Sequence, residues 1–574
     1  MAAKTKIKSK TNIKSLRKQT LSETVRGILQ GLASVTVFAL LVFFPLYTHD
    51  MYFDILAARY VCFKVIVLLH LALTIIFGLV YLSAKKGETG EPILKTIGSA
   101  LSPSNIVKNI KSTDIFFMII IMSMIISYFG TRYQKEAWTG ESGRLQGVEC
   151  WLIYFVSYVL ISRFYKFKKS VLDFALLAGS FACIWGIMDY FYMDPFGFLA
   201  NVGGIQKVQF VSSIGNLNTY TNYTGMIMAL AAALFVSEKN LIKTIFYGLA
   251  FHVAMLGSMA GLSDNATLSI MITFLTLPFW CFKTKRGFVR MAMLSFFFVL
   301  DTLVFSIWVR SPIPQSWAGS FFKTIAASAF DYVVIGTVIF AVIMLAVYGF
   351  MFKLAKKTPE NANDSAWVRF QNSLDDLMPT KLVWAWIIIV ATFFAFVGFA
   401  IYDVNNKVIF ASLWDKLGLR GTLYINDNWG THRGHNWRIA MENFHKFDWF
   451  KKLFGYGNET YLVISERSAY EEMVTRYGEV YDSAHNEYIQ YLLCTGIVGL
   501  VSYLGIFASV IYRGFKRCTK NPGVMACLYA VISYLFQALV NIAIPITTPV
   551  FFTFAYIVCA YATDVENGNE EELA

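Results

Sequence analysis

Residues 62–84 read CFKVIVLLHLALTIIFGLVYLSA, and only Lys64 and His70 in this stretch can carry a charge near neutral pH. About 20 apolar residues in a helix cross the hydrocarbon core of a bilayer, so this run predicts a membrane-spanning helix. On either side of it the chain contains further runs of the same kind, about fourteen in all. They lie at 27–47, 62–84, 115–130, 148–163, 171–190, 220–237, 244–262, 266–282, 291–309, 326–352, 382–402, 487–512, 524–542 and 549–563. The sequence therefore predicts an all-α polytopic membrane protein.

The overall composition agrees with this prediction. Of the 574 residues, 56% are hydrophobic and 15% are charged, a balance that a soluble chain of this size cannot bury. The formal net charge of +13 would suit nucleic-acid binding in a soluble protein. Here the Lys and Arg residues cluster in short alternating loops, so we expect no nucleic-acid partner. The eight cysteines lie in or beside apolar runs, which disfavours a disulfide framework or a Cys-based zinc site.

The basic loops also predict the orientation, because Lys and Arg collect on the cytoplasmic side of membrane proteins. Both termini are then cytoplasmic in a multi-pass protein of the cell membrane. The predicted regions are a basic cytoplasmic tail (1–26), transmembrane helices 1–11 (27–402) with outer loops at 131–147 and 194–219, a large extracytoplasmic loop (403–485), transmembrane helices 12–14 (486–563) and an acidic cytoplasmic tail (564–574). Residues 358–381 are predicted to form a flexible cytoplasmic linker.

The outer loop 403–485 is far longer than a connection requires, and long loops on a rigid scaffold tend to carry function. It contains Arg420, Arg433 and Arg438, and it ends at His485 beside the next helix. An arginine presents a planar fork that matches phosphate oxygens, and a histidine can accept a proton from a hydroxyl group near neutral pH. This set suits transfer from a phosphate-linked donor to an alcohol, with the arginines stabilising the leaving pyrophosphate.

Other outer residues could contribute to substrate binding. Arg144 lies between flexible glycines in the loop 131–147, and Asn216 and Asn218 form an amide-rich turn before a span. Trp437 follows Arg433 by four residues, and Asn486 directly follows His485. Amide and aromatic side chains bind sugars, although the same residue types are ordinary turn formers and interfacial anchors.

Simpler interpretations stand beside these. A loop arginine is usually a solvated charge, and His485 could contact backbone or lipid headgroups. His432, His435 and His445 could form a zinc set, but carboxylates at matching helical spacing are absent, so we expect no metal. Inside the spans ionisable residues are few, and Asp301 is the exception that calls for a functional explanation.

Six short motifs occur in order along the outer segments. They are Trp138-x-Gly140 with Arg144-x-x-Gly147, Gly215-Asn216-x-Asn218, Arg433 followed by Trp437, Phe454-Gly455-Tyr456-Gly457, His485-Asn486, and Gly496-Ile497-Val498-Gly499. Together they resemble the O-antigen ligase and polymerase superfamily, which includes the Wzy-type polysaccharide polymerases. The resemblance covers most of residues 131–552.

This resemblance implies a GT-C-like fold and a glycosyltransferase that uses an undecaprenyl-diphosphate-linked glycan as donor, with no metal or other cofactor. Arg433 would bind the donor pyrophosphate, and His485 would contact or activate the acceptor hydroxyl. The implied partners are the lipid-linked donor, the glycan acceptor, membrane lipids, and flippase and chain-length regulator proteins. Many members carry Ser-Arg-Gly where this chain has Ser263-Asp264-Asn265, so Arg144, Arg420 or Arg438 would have to replace the missing arginine.

Two other classes of function compete with the enzyme. A transporter such as a lipid-oligosaccharide flippase would place charged residues near the middle of the membrane, whereas here the spans are almost bare and Arg and His lie outside. A purely structural role in an assembly complex is the third class. Within the enzyme class, the residues do not distinguish a polymerase from a ligase; the absence of an appended soluble domain favours a polymerase.

Overall fold

The computed structural model describes residues 20–204, 206–357, 372–407, 409–416 and 420–568. It is built almost entirely from α-helices, and the described strands form one small hairpin in which β1 (Phe210–Val211) pairs antiparallel with β2 (Gly215–Asn216). The prediction of an all-α membrane protein is therefore confirmed. Parts of the predicted tails and of the cytoplasmic linker, at 1–19, 358–371 and 569–574, lie outside the described residues.

The helices follow one another along the chain with few long connections. In chain order they are α1 (Leu21–Phe38), α2 (Ile55–Thr89), α3 (Ile93–Ala100), α4 (Pro103–Asn109), α5 (Ser112–Gly130), α6 (Gln134–Thr139), α7 (Val148–Phe164), α8 (Ser170–Tyr190), α9 (Gln206–Gln209), α10 (Leu217–Ser237), α11 (Leu241–Ala260), α12 (Asn265–Thr276) and α13 (Pro278–Cys281). They continue with α14 (Lys285–Arg310), α15 (Phe321–Ser328), α16 (Phe330–Lys357), α17 (Thr380–Tyr402), α18 (Ala411–Lys416), α19 (Arg420–Leu423), α20 (Trp429–Lys446), α21 (Trp449–Phe454), α22 (Tyr461–Tyr477), α23 (Glu487–Arg517), α24 (Pro522–Gln537) and α25 (Thr548–Glu566).

Every predicted span overlaps a helix or a pair of consecutive helices, although α24 ends at Gln537, five residues before the predicted end at 542. Among the described residues, 10 helices are long and apolar enough to cross a membrane, namely α1 with its continuation to Leu46, α2, α5, α8, α11, α14, α16, α17, α23 and α25. The shorter α12 with α13 and α24 are also apolar. The chain is therefore a membrane protein with many spanning helices, while the number fourteen and the GT-C-like arrangement stay predictions.

Helix α10 lies at the centre of the bundle. Its residues are buried without interruption from Thr219 to Val236, and it packs against α8, α11, α12, α14 and α24. Because protein rather than lipid surrounds it, this helix carries polar side chains such as Thr221, Asn222 and Thr224 where a lipid-facing helix would be apolar.

The two ends of the bundle differ in their charges. At the end where α7 and α23 finish, four ion pairs join helices: Arg163 to Asp114 at 2.6 Å, Lys166 to Asp564 at 2.6 Å, Lys111 to Glu566 at 3.0 Å, and Arg513 to Glu566 at 3.2 Å. Both Arg163 and Lys166 lie at the end that the charge pattern predicts to be cytoplasmic. The opposite end, where α7, α10, α12, α23 and α25 begin, contains the loops that the sequence predicts to be outer.

The spans are less bare than the sequence suggested. Helices α2 and α14 begin earlier than the predicted spans, so Arg59 and Arg290 lie within them and are buried. The guanidinium of Arg59 donates to the carbonyl oxygens of Phe44, Pro45 and Ser213, which ties the end of α1 to the β-hairpin loop. Asp301 has a partner that the sequence did not reveal, since Nδ1 of His252 lies 2.7 Å from its carboxylate.

Candidate functional site

Segments that the sequence predicts to be outer loops meet where α10, α12 and α23 begin. The loop after α24 contacts two of these helix starts: the side-chain amide of Asn541 donates to the Asn218 carbonyl at 3.1 Å, and the backbone amide of Glu487 donates to the Ala538 carbonyl at 2.9 Å. The same loop accepts a 2.9 Å hydrogen bond from Nε of Arg433 at the Val540 carbonyl. The sequence placed these segments on one side of the membrane, and the structure brings them into contact.

The backbone before Arg433 is unusual. Gly430, Thr431 and His432 lie within the bounds of α20 but have left-handed conformations, with φ of 61°, 59° and 67°, so a kink separates Trp429 from the regular helix that begins at Arg433. Such conformations are costly for Thr and His and persist only where the surroundings impose them. Gly434 lies directly against the backbone of Asn426, because a Cβ atom on Gly434 would lie 1.9 Å from the Asn426 carbonyl oxygen. The kinked segment therefore fixes the start of the regular part of α20 and with it the position of Arg433.

Arg433 is a partly buried cation with incomplete compensation. Its guanidinium donates to the carbonyl oxygens of Val540 and Gly430, and no carboxylate of the described residues lies within 4.0 Å of it. Burial lowers its pKa, and the nearby negative charge of Asp264 opposes this effect. Donor groups of Arg433 thus stay available for an anion, since two backbone carbonyls do not neutralise a charge.

His485 precedes α23 and also has a left-handed backbone, with φ of 49°. Its Nδ1 lies 3.0 Å from the Ser483 hydroxyl oxygen and 3.3 Å from the Ser483 carbonyl oxygen. Because a carbonyl oxygen only accepts, these contacts assign the proton to Nδ1 and leave the lone pair on Nε2. Nε2 has no hydrogen-bond partner among the described residues.

The electrostatic surroundings keep this imidazole neutral. Burial lowers the pKa of His485 to about 4, and the positive charges of Arg433 and Arg144 add to the effect while Asp482 opposes it. Two of the predicted site residues therefore lie close enough to His485 to act on its charge. A neutral imidazole with a free Nε2 can accept a proton from a hydroxyl group.

Arg144 approaches the site from the outer loop between α6 and α7. Its guanidinium pairs with Asp482 at 2.9 Å, and its backbone amide donates to the Glu459 carboxylate at 3.2 Å. The Nε atom of Arg144 is buried and has no partner among the described residues. The Arg144–Asp482 ion pair therefore joins the loop between α6 and α7 to the segment that contains His485, although the two are far apart in sequence.

Arg438 and Arg420 lie in different surroundings. Arg438 pairs with Asp427 through two hydrogen bonds of 3.0 and 3.1 Å, and also with Glu442 at 3.0 Å and Glu472 at 2.6 Å. Its charge is thus compensated by three carboxylates. Arg420 is exposed and its described ion pair is with Asp415 at 3.3 Å. Neither arginine is among the main charges that act on His485.

The two asparagines before and within α10 have different roles. Asn216 caps the helix, because its side-chain oxygen accepts from the Asn218 amide at 2.9 Å. The side-chain oxygen of Asn218 accepts hydrogen bonds from the Ser263 hydroxyl at 2.6 Å and from the side-chain amide of Asn265 at 3.3 Å. Asn218 is thereby joined to the Ser263–Asn265 turn, where the resemblance predicts an arginine and this chain has Asp264.

Trp437 and Asn486 hold the neighbouring segments in place. The indole Nε1 of Trp437 donates to the Ala484 carbonyl at 3.0 Å, which fixes α20 beside the residue that precedes His485. Asn486 caps α23, since its side-chain oxygen accepts from the amides of Tyr488 and Ile489 at 3.0 and 3.1 Å. Both side chains therefore already have partners that position His485.

The two glycine motifs form one structural unit. Helix α23 is interrupted at Gly496, whose φ of 71° and ψ of −173° are not helical. The carbonyl groups of Leu493 and Cys494 consequently accept 3.1 Å hydrogen bonds from the amides of Tyr456 and Gly457. The Gly-x-Gly segment thus docks on a break in the helix and attaches the outer loop to the bundle.

One group of described side chains has the composition of a metal site. Ligand atoms of Asp427, His435 and Glu472 lie within 4.8 Å of one another. The guanidinium of Arg438 lies among them, 2.6 Å from Glu472 and 3.2 Å from Nδ1 of His435, so a cation already occupies this position. His432 instead contacts the Tyr481 hydroxyl at 2.6 Å, and His445 is exposed, so the three histidines that were considered as a zinc set have different environments.

Sequence reasoning missed two buried carboxyls beside the site, Glu459 and Glu487. Burial raises the pKa of Glu459 to about 7, and its backbone is left-handed with φ of 56°. Glu487 accepts hydrogen bonds from Tyr503 at 2.8 Å and from Tyr534 at 2.7 Å. Glu459 could have been noticed from its position directly after the Gly-x-Gly-Asn turn. Glu487 could have been noticed from the His-Asn-Glu order at a helix start.

The gathered groups can bind an anion and remove a proton at one place. Arg433 supplies a charge that no described carboxylate pairs with, Arg144 contributes positive potential although it is paired with Asp482, and His485 supplies a neutral base. No protein-family model matches this chain, and no curated protein matches its sequence.

Proposed function

We propose that this chain is a glycosyltransferase of the O-antigen ligase and polymerase type. It acts on the outer face of the cell membrane and joins an undecaprenyl-diphosphate-linked glycan to a glycan acceptor. The observation that carries the proposal is a neutral His485 with a free Nε2 close to two arginines, of which Arg433 has no carboxylate within 4.0 Å among the described residues.

In the proposed reaction Arg433 binds the diphosphate of the donor, and Arg144 adds positive potential. Nε2 of His485 accepts the proton of the attacking hydroxyl while the bond between the sugar and the diphosphate breaks. The leaving lipid diphosphate is stable as an anion, so this step requires no acid. Arg438, held by three carboxylates, and the exposed Arg420 have structural or peripheral roles in this proposal.

The alternative, a lipid-oligosaccharide flippase, gains one observation in its favour, the buried His252–Asp301 pair inside α11 and α14. This pair lies among the spanning helices, whereas the anion-binding arginines and the free imidazole lie together at the loop end. A transporter has no need for a neutral base beside an anion site. We therefore place transport second.

The proposal is tested with His485→Ala and Arg433→Ala in cells that make the corresponding surface glycan. Removal of a general base costs about 10²–10⁴ in rate, and loss of one charge-stabilising group costs about 10²–10³. We expect long glycan to disappear in both variants at unchanged protein level. The matched controls are His445→Ala and Arg132→Ala, two exposed outer residues outside the site. Glycan of normal length in either site variant would overturn the proposal.

A further inference from the structure

A small, partly enclosed space lies beside Ser483, the residue whose hydroxyl contacts Nδ1 of His485. It is lined by Arg144, Glu459, Ser483, Glu487, Gln490 and Tyr491, together with the loop after α24. Its size admits about one water molecule, and although most of its surface is apolar, Arg144, Glu459, Ser483, Glu487 and Gln490 border it and can supply the roughly two to four hydrogen bonds that a buried water requires. Ser483, whose hydroxyl contacts Nδ1 at 3.0 Å, therefore borders the same space as Glu459.

Glu459 is held in this space by the backbone around it. A Cβ atom on Gly143 would lie 2.8 Å from its carboxylate oxygen, and a Cβ on Gly140 would lie 3.0 Å from its Cγ. Only these glycines leave room for the side chain. Its one described hydrogen bond comes from the Arg144 backbone amide at 3.2 Å, and no cation of the described residues lies within 4.0 Å of it.

A buried carboxyl with so few partners costs stability, so its retention calls for a reason. Glu487 in the same space differs, because two tyrosine hydroxyl groups satisfy its carboxylate at 2.7 and 2.8 Å. Glu459 accepts one described hydrogen bond and Glu487 accepts two, so Glu459 keeps more oxygen lone pairs free to take a proton from the space beside Ser483.

We propose that Glu459 is the proton acceptor behind His485, reached through the Ser483 hydroxyl and a water in the shared space. This inference rests on the proposed function. It makes Glu459 a positioning and proton-storing residue that does not touch the sugar.

The proton transfer balances as follows. The acceptor O–H bond breaks and its proton binds Nε2 of His485, while the new glycosidic bond forms and the bond to the lipid diphosphate breaks. The Nδ1 proton then passes to the Ser483 oxygen, the hydroxyl proton of Ser483 passes to the water, and a water proton binds the Glu459 carboxylate. Glu459 then returns its proton along the same path to Nδ1 while Nε2 releases its proton to solvent, which restores the starting tautomer of His485, so no oxidant or other reactant is needed.

Several charged and titratable groups face Glu459 from the elements packed against it. They are Glu136 in α6, Arg144 in the following loop, Cys150 in α7, Asp482 in the loop before α23, and Glu487, Tyr491 and Cys494 in α23. Burial is the largest cause of the raised pKa of Glu459, and Asp482 and Glu136 add to it while Arg144 opposes it. With a pKa of about 7, this carboxyl can both accept and release a proton near neutral pH.

The test is the pH dependence of kcat/KM, measured with purified protein in vesicles and undecaprenyl-diphosphate-linked glycan extracted from the producing cells. In the wild type, activity should fall as the pH drops through about 7, because a protonated Glu459 cannot accept another proton. In Glu459→Gln this fall near pH 7 should disappear, and activity at pH 8 should be lower by about tenfold. Glu459→Asp should restore part of the pH dependence, and the exposed Glu466→Gln is the matched control.

A uniform loss of activity in Glu459→Gln, with the fall near pH 7 retained, would overturn the inference and leave a structural role. Where Glu459→Gln does not fold, Ser483→Ala interrupts the same path, and an unchanged pH profile in that variant would equally overturn it. Wild-type protein that extends no glycan would reject the proposed function and this inference together. Turnover by the wild type with the pH profile of Glu459→Gln unchanged would reject only the inference.

Discussion

The interruption of α23 at Gly496 predicts a large and specific effect of a single methyl group. In Gly496→Ala the new Cβ would lie 2.3 Å from the Leu453 carbonyl oxygen, in a backbone conformation that is essentially restricted to glycine. The strain costs about 1–3 kcal/mol. Loss of the two hydrogen bonds from Tyr456 and Gly457 to α23 adds about 1 kcal/mol for each bond.

The assay is thermal unfolding of the purified protein in detergent, combined with limited proteolysis of the outer loop. Gly478→Ala is the matched control, because Gly478 has a φ of 68° but a Cβ atom there would meet nothing within 4 Å. We expect a loss of about 1–2 kcal/mol for the control and of about 3–5 kcal/mol for Gly496→Ala. Equal stability of the two variants would refute the role of the break in attaching the outer loop.

Three further predictions concern the charges around the site. Asp264→Asn removes a negative charge near Arg433 but keeps an oxygen for the Phe321 amide, so KM for the lipid diphosphate donor should fall about two- to fivefold in steady-state kinetics; an unchanged or higher KM would contradict this. Asp427→Asn should lower the free energy of unfolding by about 1–2 kcal/mol, because Arg438 and Arg476 lose a shared partner, whereas the exposed Asp415→Asn should have little effect in the same thermal assay. The pKa of His485 is lowered from 6.5 to about 4 in the folded protein, so its contribution to stability is complete above pH 6.5 and is lost as the pH falls towards 4. Between pH 6.5 and 4.5, His485→Gln should therefore lose less stability than the wild type, by about 1–2 kcal/mol, and an equal loss would contradict the burial of this imidazole.

The positions of the helices could be predicted because the bilayer imposes both their length and their composition. The run at 62–84 needs no tertiary information to be recognised, although α2 begins earlier, at Ile55. The start was missed because Arg59 looks like a loop residue until the carbonyl groups that it binds are known. The break in α23 was hidden for a similar reason, since a glycine in an apolar run does not by itself indicate that its backbone leaves the helix.

The site could be predicted only in part. Arg433 and His485 were proposed as site residues because short motifs around them resemble those of a known superfamily. Arg438 looked equivalent to Arg433 in the sequence, but its partner Glu472 lies 34 residues away, and that pairing depends on how α22 folds back on α20. Glu459 was missed because its burial depends on the close approach of Gly140 and Gly143 from a distant loop.

The most direct test of the shared site is a double-mutant cycle between Arg433→Ala and His485→Ala, with released undecaprenyl diphosphate measured for each glycosidic bond formed. Groups that stabilise one transition state together are strongly non-additive. We therefore predict that the double variant is no slower than the slower of the two single variants. A double variant whose loss equals the product of the two single losses would contradict the claim that these residues act on the same reaction.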